Sequence, residues 1–203
     1  MTAETDDDPL MRAFAAGDAR AFDRLYERHQ AALYRFVRRL LGSVCPQQVD
    51  EVFQDTWLRM IQARASWSPQ GASFRTWLFT LAHHRAIDCL RRSGRDLSLG
   101  DDEDGVPMLE KLGAEALPAV DEAADRQFWR DAGRRLLDCL DALPVAQRAA
   151  FLLHHEDGLS VAELAQALDL GFETAKSRLR YALAKLRGCM GAFLDPLGGG
   201  DPA

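Results

Sequence analysis

At 203 residues with 47% hydrophobic content, the chain has room for one large domain or two small ones, and its helical patterning favours two. The acidic stretch Met1 to Asp8 lacks the apolar core of a signal peptide, and no apolar run approaches the roughly 20 residues of a bilayer span, so a soluble cytoplasmic protein without membrane insertion is expected. A net charge of −6 argues against a nucleic-acid partner only if it is uniform: residues 9–95 hold 14 Lys/Arg against 7 Asp/Glu, whereas residues 96–131 hold 3 against 11.

The front half reads as four helices. Leu10 to Ala16 predicts a short one, and Asp18 caps a longer one that Gly42 ends, with Phe22, Leu25, Tyr26, His29, Leu33, Phe36, Val37 and Leu40 facing inward. His29 on that face reads as a core histidine. A third helix runs from about Gln48 to Ala63; Val52, Phe53, Trp57 and Met60 or Ile61 point inward, leaving Asp50, Glu51, Gln54, Asp55 and Arg59 as its polar surface. Compensation of the helix dipole is enough to explain Asp50 and Glu51. After a loop carrying Trp67, Ser73 caps a helix from Phe74 to about Arg92, in which Arg75, His83, His84, Arg85, Arg91 and Arg92 interleave with aromatic side chains. Charge for a backbone and flat faces for bases are what a single nucleic-acid strand needs. The plain alternative has Trp67 folded back onto the core.

Residues 96–124 break the pattern with Gly, Pro and dense acid and read as a flexible linker, with at most a short helix near Met108 to Leu112. The run Asp101 to Asp104 lacks the Gly and distal Glu of a calcium loop, and no poised base accompanies it, so neither a cation site nor a metal-dependent nuclease is expected. Cys45, Cys89, Cys139 and Cys189 stand about 45 to 50 residues apart without zinc-ligand spacing and are expected to be reduced thiols. The pairs His83-His84 and His154-His155 point about 100° apart on a helix and make poor joint ligands. No metal and no cofactor is expected.

Helical pattern resumes from about Asp125 to Leu143 through Phe128, Leu136, Leu137 and Leu140. Pro144 opens the next helix, with Phe151, Leu152 and Leu153 on its core side and Arg148 exposed, and Asp157-Gly158 stops it. Ser160 and Glu163 form a capping box, followed by the stripe Leu164, Ala165 and Leu168. The turn Asp169-Leu170-Gly171 leaves Leu170 to plug the corner. In the last helix, Phe172 to Arg187, Ala175, Leu179, Ala182, Leu183 and Leu186 share one apolar face. Glu173, Ser177, Arg180, Tyr181 and Ala184 point away from it, and Lys176, Arg178 and Arg187 flank it. From Thr174 to Arg187 there are five basic residues and no acid. This is helix-turn-helix grammar, with outward N-terminal side chains suited to base edges and flanks suited to phosphates; an ordinary helical hairpin with a solvated face is the competing reading. The tail beyond Gly191 reads as loose.

Two separated blocks resemble the bacterial extracytoplasmic-function (ECF) sigma factors of RNA polymerase. AFDRLYERH, DEVFQDTWLRM and SFRTWLFTLAHHRAIDCLRR are similar to the family's region 2, and LPVAQRAAFLLHHEDGLSVAELAQAL and ETAKSRLRYALAKLR to its region 4. The resemblance implies an all-α fold in which a region 2 domain (9–95) and a region 4 domain (125–190) are joined by the acidic linker. It implies a subunit that is not an enzyme and that binds core RNA polymerase through Asp50, Glu51, Gln54, Asp55 and Arg59. Trp67, Arg75, His83, His84 and Arg85 would hold the single-stranded −10 element of promoter DNA. Arg148, Glu173, Thr174, Lys176, Ser177, Arg178 and Arg180 would read the duplex −35 element, and a cognate anti-sigma factor would restrain the chain. The sequence departs from the family at His84, where many relatives carry Asn, in the loop SWSPQG, at Asp169 in place of a turn Gly, and at Glu173 in place of Gly. Glu173 suits a cytosine amino group, or serves as a helix-dipole acid. The alternative function is a free-standing helix-turn-helix regulator whose front domain senses or dimerises; such a protein has no need of single-strand features from Trp67 to Arg92.

Overall fold

The computed structural model describes residues 7–68, 71–94 and 122–198. The expected short helix near Met108 to Leu112 and the acidic run Asp101 to Asp104 lie outside the described residues. Among those described there is no strand.

The front domain contains α1 (Asp8–Ala15), α2 (Ala19–Leu41), α3 (Val49–Ala63) and α4 (Phe74–Arg92). Asp18 caps α2 by accepting a hydrogen bond from the Arg20 amide at 3.0 Å. Gly42 ends it at φ +51, a left-handed angle that favours glycine. Ser73 caps α4 through the Thr76 amide at 3.2 Å. A 3-10 turn over Pro46–Gln48 feeds α3, so that helix begins at Val49. Leu25, Leu33, Phe36, Val37 and Leu40 of the inward stripe of α2 meet Met60 of α3 and Phe74, Leu78 and Phe79 of α4 in one fully buried core. Each such side chain contributes about 1.5–3 kcal/mol of burial. Phe22, Tyr26, Phe53 and Trp57 close its flank, with Phe22 edge-on to Trp57 at 5.9 Å.

The second domain contains α5 (Glu122–Asp141), α6 (Val145–Phe151), α7 (Val161–Ala167) and α8 (Phe172–Gly198). Pro144 stands one residue outside α6 as its cap, and α6 widens into one π-helical turn over Leu152–Glu156. The capping box forms in full: Ser160 Oγ accepts from the Glu163 amide at 3.3 Å, and Glu163 Oε2 accepts from the Ser160 amide at 2.9 Å. Asp169 takes the left-handed turn conformation at φ +54, which a short polar side chain tolerates. Leu170 packs against the core at the corner. The expectation of a loose tail after Gly191 is corrected, because α8 continues to Gly198. Its last turns start from an anchored point: Cys189 is tied to Cys139 of α5.

That disulfide, with S–S 1.98 Å and Cα–Cα 5.9 Å, corrects the expectation of four reduced thiols. A sequence separation of 50 residues conceals that α5 and α8 lie side by side. Cys45 and Cys89 are free and buried, and burial raises the Cys89 thiol above its ordinary pKa.

The two domains pack against each other. α7 lies on α4, while α6 and the π turn meet the C-terminal end of α2. A Cβ added at Gly42 would collide with the Asp141 carboxylate and the Arg148 guanidinium, which shows how closely the chains approach there.

Candidate nucleic-acid and polymerase interface

Three surfaces can be built from the helices. On α8 the apolar face is buried at Ala175, Leu179, Ala182 and Leu186. This turns Glu173, Thr174, Lys176 and Arg180 to solvent and leaves Ser177 and Arg178 half-buried. Glu173 and Lys176 stand 3.9 Å apart as an exposed pair, a contact weak enough to leave both side chains available. The Arg180 guanidinium lies 5.1 Å from the centre of the Tyr181 ring, which holds its planar donor group against one side of the helix. Phe172, the first residue of α8, is 51% exposed. It escaped the sequence reading because the apolar periodicity of the helix starts at Ala175.

Arg148 is a correction. Expected on the surface, it is 3% exposed. Its Nη2 donates to the carbonyls of Asp141 at 2.5 Å and Leu143 at 3.3 Å, and its Nη1 pairs with the Asp141 carboxylate at 3.2 Å and reaches the carbonyls of Arg39 and Leu40 at 3.4 Å. It ties the α5–α6 corner to the end of α2. A lone Arg on a short helix gives no sequence signal of such burial.

On α3 the polar residues Asp50, Glu51, Gln54 and Arg59 are exposed, as their spacing requires. Tyr34 of α2 donates to Asp50 at 3.0 Å, and that hydrogen bond raises the tyrosine pKa. Leu58, 54% exposed, adds an apolar centre to this acidic face. Asp55 is half-buried and engaged: Arg59 donates to it at 3.1 Å, and Arg85 of α4 forms an ion pair with it. Asp55 and Arg85, assigned to different partners by sequence, are thus one structural unit.

The third surface is α4 with its preceding loop. Trp67 is half-buried and packed against the core, with its indole nitrogen enclosed and without a hydrogen-bond partner among the described residues. His84 is exposed, Arg85 buried, and Arg75 half-buried. His83 is pushed down to about 3, first by burial and then by the neighbouring positive charges of His84, Arg178 and Arg91. It is therefore neutral at pH 7 in this arrangement.

The seam between the domains is charged. Arg39 of α2 forms an ion pair with Glu156, and the adjacent Asp157 is buried. Burial pushes the Asp157 carboxyl up to about 7, against the opposing pull of Arg75, Arg35 and Arg39. A cavity of about 530 Å³ opens nearby between Arg28, His29, Phe74, Arg75 and Leu159. Asp7 closes one side, pairing with Arg28 and His29 at 2.7 Å each. Its burial raises the carboxyl, but the two hydrogen bonds outweigh this and hold it below its ordinary value. Among the described residues no group of His, Cys, Asp and Glu is arranged to hold a metal ion, and no helix is long and apolar enough to cross a membrane.

A capped helix-turn-helix, packed on a helical domain with an acidic face and an aromatic loop, defines an all-α protein of the helix-turn-helix class. Sigma-70 region 2 matches residues 25–96, and Sigma-70, region 4 matches residues 133–186. The chain is 34% identical over 188 residues to the ECF RNA polymerase sigma factor SigK of Mycobacterium sp. (strain KMS), covering 92% of each chain. It is 35% identical over 191 residues to SigK of Mycolicibacterium vanbaalenii, covering 94% of this chain and 91% of that one. It belongs to the ECF RNA polymerase sigma factors. Among solved structures, CnrH in complex with the cytosolic domain of CnrY aligns with TM-score 0.63 at 25% identity, covering 92% of this chain and 97% of that one. The sigma factor RpoE in complex with the anti-sigma factor NepR from Bartonella quintana has the same fold, with TM-score 0.60 at 22% identity over 84% of this chain and 96% of that one. As a sigma factor the chain recognises promoters for RNA polymerase and promotes strand opening, and the free-standing regulator is not supported.

Proposed function

We propose that the three tasks of this sigma factor are divided among the three surfaces. The face of α3, with Asp50, Glu51, Gln54 and Arg59 around Leu58, docks on core RNA polymerase. The outward side of α8 enters the major groove of the −35 duplex. Glu173, Ser177 and Arg180 face the bases there, while Thr174, Lys176 and Arg178 meet phosphates. The Trp67 loop and α4 hold the unpaired −10 strand. Capturing an unstacked base offsets part of the cost of unpairing, so binding can drive strand opening without a nucleotide cofactor. The chain has no catalytic task of its own and works in the cytoplasm, where its polymerase is. An anti-sigma factor restrains it, a reading supported by RpoE of Bartonella quintana, whose structure is a complex with the anti-sigma factor NepR.

The observation that carries this division is the exposed polar side of α8, with Thr174, Lys176 and Arg180 free of the buried stripe that anchors the helix. Run-off transcription with core polymerase over a promoter library tests it. Specific starts sharing one upstream and one downstream element are expected. Failure of the chain to direct any specific start overturns it.

A further inference from the structure

We propose that Phe172 is a specificity-determining residue that reads the C5-methyl group of a thymine in the upstream promoter element. The inference rests on α8 being the −35 reader. Its starting point is an apolar ring that remains 51% exposed where the fold has no need of it. The corner between α7 and α8 is already filled by Leu170, which packs against the core, and the Leu170 amide bonds the Ala165 carbonyl at 2.9 Å. The buried stripe of α8 begins three residues later at Ala175, also closed by its own backbone bond to Gly171 at 3.0 Å. Phe172 therefore sits at the tip of the helix, beside exposed Glu173 and one turn before exposed Lys176.

The chemistry of the groove then decides what such a ring can recognise. A phenyl group has neither donor nor acceptor, so it is blind to the hydrogen-bonding edges that distinguish the other bases. In the major groove the thymine methyl is the one apolar feature a base offers, and N-terminal residues of a reading helix are those that reach base edges. A ring at that tip buries the methyl and is itself desolvated, whereas any other base leaves it against polar edges. The neighbouring carboxylate of Glu173 suits a cytosine amino group on an adjacent pair, so the tip reads by one apolar and one polar contact.

The test uses holoenzyme assembled from the full chain and core polymerase. Selection from a duplex library randomised over the upstream element gives the preferred sequence, and each thymine in it is then replaced by deoxyuridine, which keeps every hydrogen bond and lacks the methyl. At one thymine the replacement is expected to weaken binding roughly three- to fivefold, the equivalent of one methyl group lost from an apolar contact. Phe172→Ala is expected to bind the thymine and deoxyuridine duplexes equally while keeping its preferences at other positions. An unchanged melting temperature for the variant shows that the fold is intact. No thymine with a methyl effect in the wild type, or a methyl effect that survives in Phe172→Ala, overturns the inference. A loss in Phe172→Ala that is the same for both duplexes overturns it in favour of a protein contact. Arg180→Ala separates this from the underlying reading: if it weakens binding to the upstream element while the methyl effect is absent, only Phe172 is misassigned. If it changes nothing, α8 is not the reader.

Discussion

Asp157 and Arg148 are both buried ionisable groups, but their neighbours give them opposite consequences. The carboxyl of Asp157 has its Oδ2 without a hydrogen-bond partner among the described residues and is pushed up to about 7 from an ordinary 3.8. Between those values the folded chain holds a proton that the unfolded chain has released, so stability falls as pH rises through the window from about 4 to about 7. Asp157→Asn removes this dependence. Calorimetry across pH should find the variant more stable than wild type at pH 8 and the two converging near pH 4; parallel profiles would show that the carboxyl is not protonated in the fold. His83 has the opposite sign: held neutral down to about 3, it contributes stability that is lost as pH falls below 6.5. Arg148, by contrast, is matched by carbonyls and by Asp141. Arg148→Met orphans those buried acceptors and is expected to cost about 3–5 kcal/mol in urea unfolding. A variant of full stability with weakened −35 binding would return Arg148 to the DNA surface.

Among the elements, the Cys139–Cys189 link has the most direct energetic consequence. Closing a loop of about 50 residues removes conformations from the unfolded chain worth about 4 kcal/mol, so Cys139→Ser with Cys189→Ser should lower the melting temperature of the α5–α8 unit. A variant melting with wild type under oxidising conditions would show that the link adds no stability. The rest of that unit was legible beforehand because its signals are local. The Ser160–Glu163 box, the Asp169 turn and the stripe from Ala175 to Leu186 each lie within one or two helical turns, and so do the Asp18 and Ser73 caps. What stayed hidden depends on which helices become neighbours. The disulfide, the burial of Arg148, the Asp55–Arg85 pair and the withdrawal of His83 all join segments through tertiary packing that periodicity does not encode. The candidate site divides the same way: Glu173 and Arg180 are exposed as their wheel positions predict, whereas on α4 Arg85 is buried against Asp55 and Arg75 is screened by the segment leading into α7, with His84 left exposed.

That screening is a property of the whole molecule. With α7 on α4 and the π turn on α2, Arg75 faces the seam, so if α4 grips a single strand as proposed, Arg75 joins in only when the domains separate. Beside the packing of α7 on α4, the seam holds groups that water can also satisfy: the Arg39–Glu156 ion pair, the Asp157 carboxyl and the Arg148 bonds to the carbonyls of Arg39 and Leu40. Arg39→Glu places two carboxylates together and is expected to favour the separated form by about 1–2 kcal/mol, and Glu156→Arg to do the same with two guanidinium groups. Small-angle scattering should register each reversal as a larger radius of gyration, and the double reversal, which restores an ion pair, should return it to the wild-type value. If polymerase binds the separated form, each single variant should bind core about five- to thirtyfold more tightly, because less of the binding energy is spent on opening the seam. Single reversals that leave the radius unchanged would mean that apolar packing of α7 on α4 holds the domains together without help from the charges.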